Sequence, residues 1–277
     1  MNAQFWTLFS ILLAAGVLST LAILPYSLAI NPDASQILKK QLEEKGSRIP
    51  PMLVITLAST VQSGILIAIA IFAGLLASRA VGLRLPALEA LLAGQPVMPL
   101  IAPALPVAVL TGIGAGAIII ALERLYFQPR LPEVFRAVKT NVALWKRALA
   151  CFYGGIYEEL LLRLFVLAGL VWLLGRVWAF PAGQIPAGVF WAANITAALL
   201  FGLGHLPATA RMAKLTPLLV ARALLLNGIA GIFFGVLFLR FGLETAMIAH
   251  FFGDIVIHII FPELTPQAES QPQAQEA

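Results

Sequence analysis

Four stretches of this chain, residues 1–32, 49–78, 90–122 and 177–210, contain no Asp, Glu, Lys or Arg. A helix crosses the hydrocarbon core of a bilayer with about 20 apolar residues, and every one of these stretches is longer. Soluble domains average roughly 25% charged residues, whereas this chain has 11% charged and 60% apolar. The runs do not alternate apolar with polar residues, which excludes a membrane β-barrel. The expected fold is therefore all-α, a polytopic transmembrane helical bundle. The net charge of +5 is not gathered into a basic helix or an aromatic–basic array, so nucleic acid is excluded as a partner. Cys151 is the single cysteine and has no mate for an internal disulfide.

The pattern predicts about seven spans, with six and eight as the bounds: roughly residues 5–30, 52–78, 99–122, 148–174, 187–209, 218–239 and 243–261. Within 123–147, Phe127, Leu131, Val134, Phe135 and Val138 alternate with Arg130, Arg136 and Lys139. That spacing suits a short amphipathic helix at the membrane surface. The charged loop after the first span is expected to hold a short helix, and the Pro/Gln/Ala-rich tail to be disordered. The opening MNAQFW lacks a basic n-region, and its apolar run is too long for a signal peptide, so it reads as the first span. Loops one, three and five hold most of the Lys and Arg, among them Lys39, Lys40, Lys45 and Arg48, while loops two, four and six hold only Arg79, Arg84, Arg176 and Arg240. That bias places the C-terminus in the cytoplasm and the N-terminus outside.

A charge at the bilayer centre costs about 2.5–3.5 kcal/mol on insertion scales, so each one inside a span faces protein or water. Spans one to three have none. In and around the later spans stand Glu158, Glu159, Arg163, His205, Arg222, Glu244, His250, Asp254 and His258. Glu159 and Arg163 are i,i+4, on one helix face. Glu158 is turned about 100° away, so the two acids meet different neighbours. The economical division makes Glu159–Arg163 a neutralising pair and leaves Glu158 free to act; the competing reading is a salt-bridge knot that ties helices together. Gly154 and Gly155, one turn earlier, would let another helix approach closely. His250 and Asp254 are also i,i+4, close enough for the carboxylate to orient the imidazole. Two histidines and a glutamate in a shared cavity suit water activation, with the glutamate as base and an imidazole at an oxyanion. The same residues could instead ligate zinc, although no HExxH is present. Cys151 with a histidine is a third option, set against a plain packing role. The Asn227, Gly231, Gly235 stripe reads as helix packing, Arg222 as a snorkelling cation, His258 as an end-of-helix histidine, and Trp6, Tyr26, Trp178 and Trp191 as interfacial anchors.

Glu158-Glu159-x-x-x-Arg163, Phe201-x-x-x-His205 and His250-x-x-x-Asp254, in that order on successive late spans, resemble the CPBP family of intramembrane proteases. That family groups type II CAAX prenyl endopeptidases with bacteriocin-processing and immunity proteins. The resemblance implies a helical intramembrane bundle that hydrolyses peptide bonds. It divides the chain into N-terminal spans with the interfacial helix (1–144), a protease core (145–262) and the tail (263–277). It implies that Glu158 activates water with help from His205, that His250 and Asp254 form the oxyanion site, and that Glu159 and Arg163 shape the site or contact substrate. The glutamate mechanism needs no metal; the zinc alternative would use Glu158, His205 and His250. The last position is Asn in prenyl-protein processing members, and an ionised Asp254 cannot donate a hydrogen bond to an oxyanion. The expected partner is a membrane-associated peptide, prenylated or a leader. A non-catalytic scaffold or immunity protein, and a proton-coupled transporter, are the readings from other classes.

Overall fold

The structure, a computed structural model, describes residues 2–30, 36, 37, 40, 42, 44, 49–131 and 142–261. Ten α-helices organise these residues: α1 (Ala3–Ile30), α2 (Pro51–Val81), α3 (Pro86–Leu92), α4 (Met98–Leu122), α5 (Leu144–Phe152), α6 (Ala168–Leu174), α7 (Ala187–Gly204), α8 (Leu206–Met212), α9 (Pro217–Phe241) and α10 (Leu243–Asp254). No strand occurs among the described residues. Helical winding continues between α5 and α6 through two π-helical segments, Tyr153–Glu158 and Leu160–Leu167, and a third, Ile255–Ile260, prolongs α10. Among the described residues six helices are long and apolar enough to cross a membrane. The predicted fourth span, 148–174, falls inside the composite α5–π–α6 run, whose apolar stretch is divided among four segments.

Prolines mark where helices start: Pro51, Pro86, Pro207 and Pro217 stand in first turns, where a missing N–H costs nothing. Pro25, Pro103 and Pro106 lie inside α1 and α4, which a spanning helix accommodates through its neighbours. Two glycines with positive φ stop helices: Gly82 (φ 80°) ends α2 and Gly242 (φ 97°) ends α9. At Gly82 a Cβ would also collide with the backbone of Gly183. Span five breaks at His205, and Pro207 restarts the chain as α8.

Lipid tails are as apolar as leucine, so spanning helices associate through close contact of small residues rather than through burial alone. A Cβ on Gly112 would strike the carbonyl of Ala249, and one on Gly116 would come within 2.9 Å of Val256 Cβ, so α4 lies directly against α10. The Gly231 and Gly235 face packs on α7, against Ala198 and Asn194, as its spacing suggested; Asn227 instead donates to Ala223 of its own helix (2.8 Å). Around these contacts one core joins Phe5 and Leu8 of α1, Ile67 and Ile71 of α2, Leu160 and Leu164, Phe234 of α9 and Ala249 of α10.

Two side chains have partners that spacing alone did not show. Arg222 does not end free at the interface: its Nε donates to Glu123 Oε2 at 2.7 Å, because the last turn of α4 lies level with the first turns of α9. Tyr26 packs its ring edge-on against His258 (5.6 Å). The predicted amphipathic helix falls largely on 132–141, outside the described residues, as do most of the first loop and the tail beyond Phe261; of its flanks, 123–130 prolongs α4 and Leu144 opens α5.

Candidate active site

The π turns of the α5–α6 run carry the paired acids. A π segment widens the helix by one residue per turn and recurs at functional sites. Here Glu158 ends one π segment, and Glu159 leads into the next. Opposite them α10 presents His250 and Asp254. The two elements meet at glycine: a Cβ on Gly154 would collide with Asp254 Oδ2 and reach to 3.0 Å from His250 Nε2, and one on Gly155 would sit 3.1 Å from Met247 O. The neighbour foreseen for the glycine pair is therefore the helix that bears the histidine.

Glu159, fully buried, is the hub. Its Oε1 accepts a hydrogen bond from His250 Nδ1 at 2.7 Å, and its Oε2 lies 3.2 Å from Arg163 Nε. Arg163 Nη2 donates to the carbonyls of Ala230 and Gly231 (3.3 and 3.4 Å), and the guanidinium lies between the rings of Phe201 and Phe234, 5.5 Å from each centroid. A buried cation is thus met by a carboxylate, two helix carbonyls and two π faces, the set of partners that offsets its desolvation. The predicted Glu159–Arg163 pair exists, but it also grips His250. The imidazole is oriented by Glu159 and not by Asp254, whose Oδ1 is 3.8 Å from Nε2, too far for a hydrogen bond.

With Nδ1 engaged, His250 Nε2 faces two further carboxylates, Glu158 Oε2 at 3.6 Å and Asp254 Oδ1 at 3.8 Å. The ring lies tilted against Phe234 at 4.9 Å. Glu158 remains partly exposed, with 19% of its side chain accessible. His258 stands 4.0 Å beyond Asp254, on its far side. The structure therefore brings Glu158, Glu159, Arg163, His250 and Asp254 together. His205 stands apart: the Phe201 ring lies 4.9 Å from it and 6.1 Å from His250, and among the described residues no carboxylate pairs with it. His205 Nδ1 donates to the Phe201 carbonyl at 2.9 Å. A carbonyl only accepts, so in the neutral ring the lone pair is left on Nε2.

The other singled-out groups have structural partners. Cys151 Sγ donates to Arg147 O at 3.4 Å from a fully buried position. Glu244 accepts from Leu88 N–H at 2.8 Å, tying α10 to α3. Among the described residues no three His, Cys, Asp or Glu side chains are grouped so as to hold a metal ion. Glu158 and His250 approach each other to 3.6 Å, while His205 lies against Phe201. Phe234 escaped the sequence reading altogether, because one phenylalanine in a span looks like any other lipid-compatible residue.

Residues 140–256, under half of the 277-residue chain, match the family model described as type II CAAX prenyl endopeptidase Rce1-like. The chain carries an Rce1-like domain. That family is a membrane protease family, and the domain contains Glu158, Glu159, Arg163, His205, His250 and Asp254 alike. No curated protein and no solved structure matches the chain. The Rce1-like domain does not include α4, although the glycine face of α4 is what holds its last helix in place.

Proposed function

We propose that this integral multi-pass membrane protein is an endopeptidase that hydrolyses a peptide bond of a membrane-associated peptide, with Glu158 as general base. The observation that carries the reading is the approach of Glu158 and Asp254 to one nitrogen of a histidine whose other nitrogen is fixed by the Glu159–Arg163 pair. A water oxygen can stand within hydrogen-bond length of both Glu158 and His250 Nε2. Glu158 takes a proton from that water as its oxygen attacks the carbonyl carbon. His250, donating through Nδ1 to Glu159, offers an Nε2–H to the oxyanion when it carries a second proton. Asp254, 3.8 Å from Nε2, adds negative charge beside that nitrogen and is not itself the oxyanion donor, since an ionised carboxylate only accepts. The proton held by Glu158 passes to the leaving amine, and the C–N bond breaks to give a carboxylic acid and an amine, with Glu158 returned to its carboxylate form. His205, with Nε2 bare, contributes from beyond Phe201 by accepting a hydrogen bond from water or substrate.

The test is cleavage of a library of membrane-tethered peptides, prenylated and unprenylated, by purified protein. Glu158→Gln should abolish cleavage, and His205→Ala should lower it about a hundredfold or more, the usual scale of general acid–base assistance. Exhaustive chelation should leave the rate unchanged. Parent-like cleavage by both variants would end the glutamate reading, and an inert parent on every peptide would favour the scaffold reading.

A further inference from the structure

At the end of the bundle opposite His258 an open cavity of about 600 Å³ lies among Asn2, Gln4, Arg79, Arg84, Glu89 and Gln95. The N-terminus of α1, the C-terminus of α2 and the first turn of α4 surround it, so it sits where spanning helices leave the hydrocarbon, at the level of lipid headgroups. Arg84 is neutralised: Nη2 is 2.7 Å from Glu89 Oε2, and Nε donates to the same oxygen at 2.9 Å. The other Glu89 oxygen accepts from Leu85 N–H at 3.3 Å. Arg79 differs. Its guanidinium stacks on the Phe5 ring at 5.0 Å, and among the described residues it has no carboxylate partner.

The remaining polar lining consists of amides. Asn2 Oδ1 accepts from Phe5 N–H at 3.1 Å, which leaves its NH₂ available as a donor. The 28-residue α1 directs the positive end of its dipole toward the same space. One exposed guanidinium without a carboxylate partner, amide side chains, a favourable helix end and a single carboxylate already engaged on both oxygens suit the cavity to an anion. Its volume exceeds that of a bare ion and falls in the range that holds a small organic group.

We propose that this cavity binds the phosphoryl group of an anionic phospholipid, with Arg79 as the principal donor. The planar guanidinium meets two phosphate oxygens at once, Phe5 holds it in register, and Asn2 and Gln95 reach the headgroup. The rim residue Leu100, largely exposed and apolar, faces the acyl chains.

The experiment uses the full chain in nanodiscs and detergent, with native mass spectrometry of retained lipid. The parent should retain phosphatidylglycerol in preference to phosphatidylcholine. Arg79→Gln should weaken that retention about tenfold, the loss of charge-assisted hydrogen bonds, and Arg79→Lys, which keeps the charge without the bidentate fork, should recover only part of it. Glycerol 3-phosphate is the second probe: Arg79-dependent binding of this solute at the affinity of the lipid would overturn the lipid source. Equal retention of both lipids by the parent, or equal phosphatidylglycerol retention by parent and Arg79→Gln, would overturn the site. The unfolding temperature of each variant separates lost binding from lost folding.

Discussion

Glu159 Oε1 and His250 Nδ1 lie 2.7 Å apart across 91 residues of sequence, and this bond joins the α5–α6 run to α10 at the centre of the site. Because Glu159 also faces Arg163 at 3.2 Å, the bond is one link in a buried guanidinium–carboxylate–imidazole series that fixes which nitrogen of His250 is turned toward Glu158.

Removing that carboxylate strands a buried cation. Glu159→Gln should lose stability on the order of 3–5 kcal/mol, as when one partner of a buried ion pair is deleted, and cleavage should fall with it. Thermal unfolding in detergent reads the first effect. A double variant that also replaces Arg163 with Met should recover part of the stability without the activity, since the unpaired charge is gone while the grip on His250 is not restored.

Gly154 tests the helix contact. Gly154→Ala would drive a Cβ into Asp254 Oδ2, so α10 must shift, and cleavage should drop steeply while the protein still inserts. Gly169 has open space around it, and Gly169→Ala should leave activity unchanged and stabilise its helix by up to about 1 kcal/mol. Equal behaviour of the two variants would count against contact at Gly154 as the cause.

Phe234 touches both the Arg163 guanidinium and the His250 ring. Phe234→Leu keeps an apolar side chain of similar volume and removes the π face, about 0.5–2 kcal/mol of cation–π attraction. As a positioning residue it should lower kcat with KM little changed, and Phe234→Tyr should restore most of the rate. A KM effect alone would place the residue in substrate binding instead.

Cys151 donates its thiol to the backbone of its own helix, so Cys151→Ala should cleave like the parent and resist thiol alkylation. The same cysteine-free background serves topology: a cysteine placed at Lys45 should stay unlabelled by an impermeant reagent outside intact cells if the charge bias has set the first loop in the cytoplasm.

The membrane class, the helical architecture and the residues that break the apolar rule were all legible in the chain. A charge inside an apolar run is costly wherever the run folds, so Glu158, Glu159, Arg163, His250 and Asp254 announce themselves without a structure. The Glu159–Arg163 pair was legible as well; the partner of His250 was not. From spacing, Asp254 was the natural partner of His250 because i,i+4 neighbours share a helix face; the structure gives that place to Glu159, because Gly154 and Gly155 let a distant helix come closer than the same-helix neighbour can reach. For the same reason the Phe201–Phe234 enclosure of Arg163, the separation of His205 and the Arg222–Glu123 pair appear only once the helices are packed. Sequence determines the cost of placing each residue in a bilayer; which helix faces meet, and so which groups offset that cost, is decided by backbone approach at glycines whose partners lie far away in the chain.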